Sequence, residues 1–277
     1  MKKIKREYTY TRDRHIWRLL PTGTGKLIIE ERDMNSKEAF YNCIKVDSGK
    51  KIFYDFQLEE KHWSGIESIY NDFIFFHKFA SRDMPDHKGI IAFDIASQNI
   101  IWQTDDYIFD FITNDKIFCF KNYFKGRSYY VLSCTTGKLL EDLSENFSDV
   151  NRLREEAFEQ NNFDGYLFPE PFDEGNASFP PMNQIAASIK AEFSIAGKIE
   201  FIPFNEIVLH SFHQQLNNGK LNNRFRAIDI LNKNIILEEI LNKNSNTFIP
   251  DSFFIKDDLL FLLIEKTKLK VYSLKIK

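Results

Sequence analysis

Five ionisable residues crowd one short stretch of the chain: His77, Arg82, Asp83, Asp86 and His87. Two imidazoles, two carboxylates and a guanidinium within 11 residues are the groups of a metal or acid–base site. The same composition also suits a solvated loop between strands, so these five stand as ligand-binding candidates. No metal is assigned, because no CxxC pair and no HExxH helix occurs. His210 and His213 have the spacing of helical ligands, but the residues around them alternate as a strand does. A strand sends positions three apart to opposite faces. The string Pro21-Thr22-Gly23-Thr24-Gly25-Lys26 invites a phosphate-loop reading. Leu20 and Leu27 stand where that loop needs Gly and Ser or Thr, and Leu27-Ile28-Ile29 continues as a strand, so it reads as a hairpin turn. Asp105, Asp106 and Asp110 suit either a channel rim or a solvated acidic turn. No catalytic residue and no cofactor follows from these patterns.

The elements that must hold such groups are strands. The chain has 277 residues with 28 Phe, 11 Tyr and 3 Trp, and ring side chains favour pleated, half-buried surfaces. From Ile66 the pattern runs as a strand to Tyr70, a turn at Asn71-Asp72 and a strand from Phe73 to Phe79. A polar loop from Ser81 to Lys88 follows, then a strand from Gly89 to Ile95, a turn at Ala96-Ser97-Gln98 and a strand from Asn99 to Thr104. The plan recurs with first turns at Thr24-Gly25, Asn114-Asp115, Asn205-Glu206 and Asp257-Asp258, and second turns at Gly49, Gly137 and Lys233. The repeat length, near ~45 residues, is in the range of propeller blades. The interval from Asp115 to Glu206 is about double, so residues 144–196 should hold a divergent blade or an insertion. A short helix is expected at 149–160, with Val150, Leu153 and Ala157 on one face.

Residues 163–182 are rich in Pro, Gly and rings without periodicity, and Phe168 and Phe172 within them are candidate partner-binding residues. The last repeat stops one strand short. The alternating segment Glu7 to Thr11 is expected to complete it, removing an open edge. The expected fold is all-β: one domain over residues 1–277, a β-propeller of about six (five to seven) four-stranded blades.

The segments Gly89-Ile90-Ile91-Ala92-Phe93-Asp94-Ile95 with Ile100-Ile101-Trp102, and Asp47-Ser48-Gly49-Lys50, resemble blade repeats of quinoprotein-like and WD40-like propellers. The whole chain is similar to an uncharacterised family of bacterial proteins carried as a domain of unknown function. That resemblance implies a fold and no substrate. Composition narrows the rest. With 37 basic against 40 acidic residues the net charge is -3, which offers no basic face for nucleic acid. No long apolar run suggests a membrane span, and no apolar segment follows the basic N-terminus. Cys43, Cys119 and Cys134 form no spaced pair and suit a reducing compartment. These features lead to the expectation of a cytoplasmic, monomeric binding or scaffolding propeller that engages a protein or small ligand through its loops. The alternative is a hydrolase- or lyase-like enzyme with polar residues converging at a central tunnel.

Overall fold

The computed structural model describes residues 4–81, 84–144, 147–159, 165–173, 179–250 and 252–275. They fall into two compact units, Arg14–Asp164 and Met1–Asp13 with Gly165–Lys277. Strand β1 (Lys5–Thr11) opens the second of these and lies antiparallel to the last strand of the chain, Lys268–Ser273.

The unit Arg14–Asp164 is three antiparallel meanders of four strands. The first is β2 (His15–Pro21), β3 (Lys26–Arg32), β4 (Ala39–Lys45) and β5 (Lys51–Phe56). The second is β6 (Ser64–Tyr70), β7 (Phe73–Ser81), β8 (Met84–Asp94) and β9 (Asn99–Thr104). The third is β10 (Ile108–Thr113), β11 (Lys116–Tyr123), β12 (Gly126–Ser133) and β13 (Leu139–Ser144). A parallel bridge from Ile108 to Gly89 joins the second and third.

Period-two alternation on β7 explains how the meanders stack. Ile74 and Phe76 enter a core with Tyr41, Phe53 and Phe93, whereas Phe75 enters another with Ile90, Cys119 and Leu132. Each ring buried in this way contributes about 1.5–3 kcal/mol. All three cysteines are buried, and burial pushes their thiols up, to about 12 for Cys43 and Cys119 and about 11 for Cys134. Helix α1 (Phe147–Glu159) packs Val150, Leu153 and Ala157 against Phe111 and Phe118.

The other unit continues with β14 (Tyr166–Leu167), β15 (Glu170–Pro171) and helix α2 (Pro180–Glu192). A fourth meander follows, of β16 (Ile195–Phe204), β17 (Ile207–Gln215), β18 (Leu221–Asp229) and β19 (Asn234–Ser245). The chain ends in β20 (Phe253–Lys256), β21 (Leu259–Ile264) and β22 (Lys268–Ser273), with β1 as the fourth strand of that sheet. The described residues of 144–196 form no further meander. They supply α1, α2 and two short strands, β14 added to β20 and β15 added to β16. Helix α2 was hidden by the proline-rich stretch before it. Pro at a first helical position needs no hydrogen-bond partner for a missing N–H, and Met182, Ile185, Ala186 and Ile189 then bury one face.

Each turn read from the repeat holds a residue with left-handed backbone. Asn71, Asn114, Asn205 and Asp257 lie at first turns with φ between 49° and 53°. Gly49, Gln98, Gly137 and Lys233 lie at second turns with φ between 51° and 66°. Tight hairpins need positive φ to match strand twist, which is why Asn, Asp and Gly recur there.

Candidate functional site

The first strands of the three meanders in Arg14–Asp164 each carry one residue without a partner in the ladder. On β2 the register passes from Ile16 to Arg18, on β6 from Ile66 to Ser68, and on β10 from Phe109 to Phe111. The extra residues are Trp17, Glu67 and Asp110. A bulge turns its side chain out of the alternation. Asp110 is used structurally, by Arg154 of α1. Trp17 and Glu67 each contribute to a more open arrangement.

Glu67 meets two of the histidines singled out by type. His77 Nδ1 lies 3.1 Å and His87 Nδ1 2.6 Å from Glu67 Oε1. The two imidazoles stack 3.6 Å apart at 8°. Strand pairing causes this: Phe79 opposes His87, and His77 sits two residues before Phe79 on the same face. Gly65, opposite His77, makes room for the ring, since a Cβ there would stand 2.9 Å from His77 Cε1. His77 is 4% exposed; its Nδ1 faces the Glu67 carboxylate, and its Nε2 has no hydrogen-bond partner. Burial works against ionisation of Glu67, yet its contacts with the two imidazoles hold its carboxyl below the usual range.

The stretch from Ser81 to Lys88 is not the loop its polarity suggests. Strands β7 and β8 pair out to Ser81 and Met84, so His77 and His87 belong to a long hairpin arm. Strands β17 and β18 extend likewise, out to Gln215 and Leu221. Arg82 and Asp83 lie outside the described residues. Asp86 is exposed and stands outside the Glu67–His77–His87 group. Glu67 escaped sequence reasoning because it lies on the preceding strand. Its one signal is a slip in alternation, with Ile66 and Ile69 both on the same core although three residues apart.

Trp17 forms a wall of a cavity of about 950 Å³ with Met34, Trp63 and Phe79. Trp17 is 61% exposed and Trp63 41%. Of the charged groups around it, Arg32, Asp33 and Glu60 are committed to the fold, and Lys37 lines it as an exposed side chain. Arg32 donates to Glu30 and to the carbonyls of His62 and Ser64. Asp33 Oδ1 accepts the N–H groups of Asn35 and Ser36, and Glu60 Oε1 those of His62 and Trp63. Phe79 is common to both arrangements. Its ring is edge-on to Trp63 at 6.5 Å, to His77 at 5.0 Å and to His87 at 5.5 Å.

Residues 20–102 match a domain of unknown function, DUF4905. The DUF4905 match spans Glu67, His77 and His87 and most of the cavity wall, leaving out Trp17. No curated protein matches the chain. Among solved structures the chain is similar to the tricorn protease at 10% identity and a TM-score of 0.33, covering 99% of this chain and 34% of that one. It thus spans about a third of that protease's length. It is also similar to the β-propeller domain of the Trilobed protease from Pyrococcus furiosus, at 8% identity and a TM-score of 0.32, covering 96% and 71%. A DUF4221 family member from Bacteroides vulgatus aligns at 11% identity and a TM-score of 0.27, covering 95% and 78%.

The remaining candidates part ways. Phe168 is 51% exposed beside Tyr166 and Phe254. Phe172 instead packs into the core under α2, edge-on to Phe201 at 6.1 Å. His210 and His213 are both buried on β17, and His213 Nε2 accepts the N–H of Ile249. The Thr22–Lys26 segment is a hairpin turn, closed by Thr22 N–H to the Lys26 carbonyl. Among the described residues, no helix is long and apolar enough to cross a membrane.

Proposed function

We propose that this protein is a binding β-propeller of five blades that holds a small neutral ring, a sugar in type, against the indoles of Trp17 and Trp63. The observation that carries this reading is two exposed indoles facing a cavity in which Arg32, Asp33 and Glu60 are already engaged by the fold. Binding sites of this size are lined by rings and apolar groups, with few polar atoms fixing orientation. An indole face attracts the C–H face of a sugar, while hydroxyls remain free for the rim. Five blades is the reading favoured by five located meanders, with β1 acting as the closing strand of the last.

The test is titration with a panel of neutral mono- and oligosaccharides, followed by indole fluorescence. Trp102 serves as an internal reference, because its Nε1 donates to the Cys134 carbonyl away from the cavity wall. The expected result is a saturable change for one sugar class, weakened at least tenfold in Trp17→Ala and Trp63→Ala. Absence of saturable binding, or equal binding by both variants, overturns the proposal.

The enzyme reading draws on a different observation, the convergence of a carboxylate and two imidazoles. These three come from neighbouring strands of a single meander, whereas the expectation placed such residues on several blades.

A further inference from the structure

We infer that Glu67, His77 and His87 form a binding site for a divalent transition-metal ion of the zinc type. Three donors from three adjacent strands, β6, β7 and β8, bring one ligand atom each within 4.8 Å of one another. Imidazole nitrogen with one carboxylate is a donor set that suits zinc and its neighbours. Three protein ligands leave a position open for water or another molecule.

The burial of His77 adds a second observation to that clustering. A buried imidazole almost always has a hydrogen-bond partner, and an unpartnered one is costly. Here a ring that is 4% exposed has its Nε2 without one and its Nδ1 3.1 Å from the Glu67 carboxylate. A metal ion would satisfy a nitrogen of this ring and neutralise Glu67 at once. Gly65 leaves room for the His77 ring, and Glu67, at the bulge of β6, brings its carboxylate to both imidazoles.

The donors stand slightly closer together than metal-bound donors do. Bonds of about 2.0–2.1 Å in a tetrahedron separate donors by about 3.4 Å, against the 2.6 and 3.1 Å contacts to Glu67 Oε1. The parallel rings also set their lone pairs in offset planes, so sharing one ion requires a ring to tilt. His87 has that freedom, with a side chain 38% exposed, while His77 is held by the core. Loading therefore separates the two rings and turns His87 toward the carboxylate.

The experiment uses the full chain, stripped with chelator and titrated with zinc chloride near neutral pH by calorimetry, with no sugar present. A single saturable site per chain is expected, with affinity reduced at least tenfold in Glu67→Gln and in His87→Ala. Both residues are partly solvent-facing, so these variants are expected to fold, which circular dichroism checks. His62→Ala, at an exposed histidine beside the cavity, is expected to bind as the parent does. Cobalt titration should give visible absorption of a four-coordinate ion, lost in His87→Ala. No saturable zinc binding overturns the inference. So does binding that survives unchanged in both folded variants, or that depends on His62.

Discussion

His210 lies fully buried on β17 with its ring stacked over Phe212 at 6.2 Å. Burial first, and the nearby Arg226 charge second, push its pKa down to about 3. In the unfolded chain the same imidazole takes a proton near its ordinary 6.5. Between these values the unfolded state holds the extra proton, so stability rises with pH across that window and falls on acidification. The slope from this one group is at most about 1.4 kcal/mol per pH unit. Urea midpoints measured from pH 7 down to pH 4.5 should show a shallower decline in His210→Gln than in the parent. An unchanged slope would remove His210 from the acid response. At this same scale the candidate site was half legible. His77 and His87 announce themselves by type, but Glu67 looks like any polar strand residue until a neighbouring strand is laid beside it.

Gly89 shows what an element demands of one position. Its φ is +72°, and a Cβ there would stand 2.8 Å from Asp105 Oδ1 and 3.0 Å from the Thr104 carbonyl. It also lies where the β7–β8 register slips, between the Phe76–Ile91 and Lys78–Lys88 pairs. That slip sets the phase of the hairpin arm beyond it, and with it the place of His87. Gly89→Ala is expected to cost about 1–3 kcal/mol, read as a lower urea midpoint, and to weaken zinc binding as the arm re-registers. Full stability in the variant would show that the arm tolerates a side chain there. The length of the arm itself was hidden, because Ser81 to Lys88 is polar and edge-like residues in a projecting hairpin look the same as a loop. Helix α1 was legible from three apolar positions on one face. Helix α2 was not, since its apolar face begins directly after two prolines.

At the level of the whole chain, β1 covers the edge of β22 over Lys5 to Thr11 and buries Tyr10. An uncovered strand edge exposes unpaired N–H and carbonyl groups and invites association with other chains. Removal of residues 1–12 is expected to lower stability by more than about 2 kcal/mol, a drop in Tm of roughly 4–8 °C. Size-exclusion chromatography should show higher-mass species at the same time. A truncated chain that melts as the parent does and stays in one peak would contradict this role for β1.

The meanders and their tight turns were written locally. Period-two alternation places Phe75 against Ile74 and Phe76 whatever lies elsewhere, and a left-handed turn asks for Asn, Asp or Gly at one position. These are properties of a residue and its immediate neighbours, so one chain suffices to read them. The convergence of Glu67 with His77 and His87, and the shared wall at Phe79, depend on how strands slide past one another. Register and bulges are settled between strands by the cores on both faces, and a shift of one residue would send each of these side chains to the other side. That is why the groups with which the chemistry began were visible by type, while their third partner waited for the folded sheet.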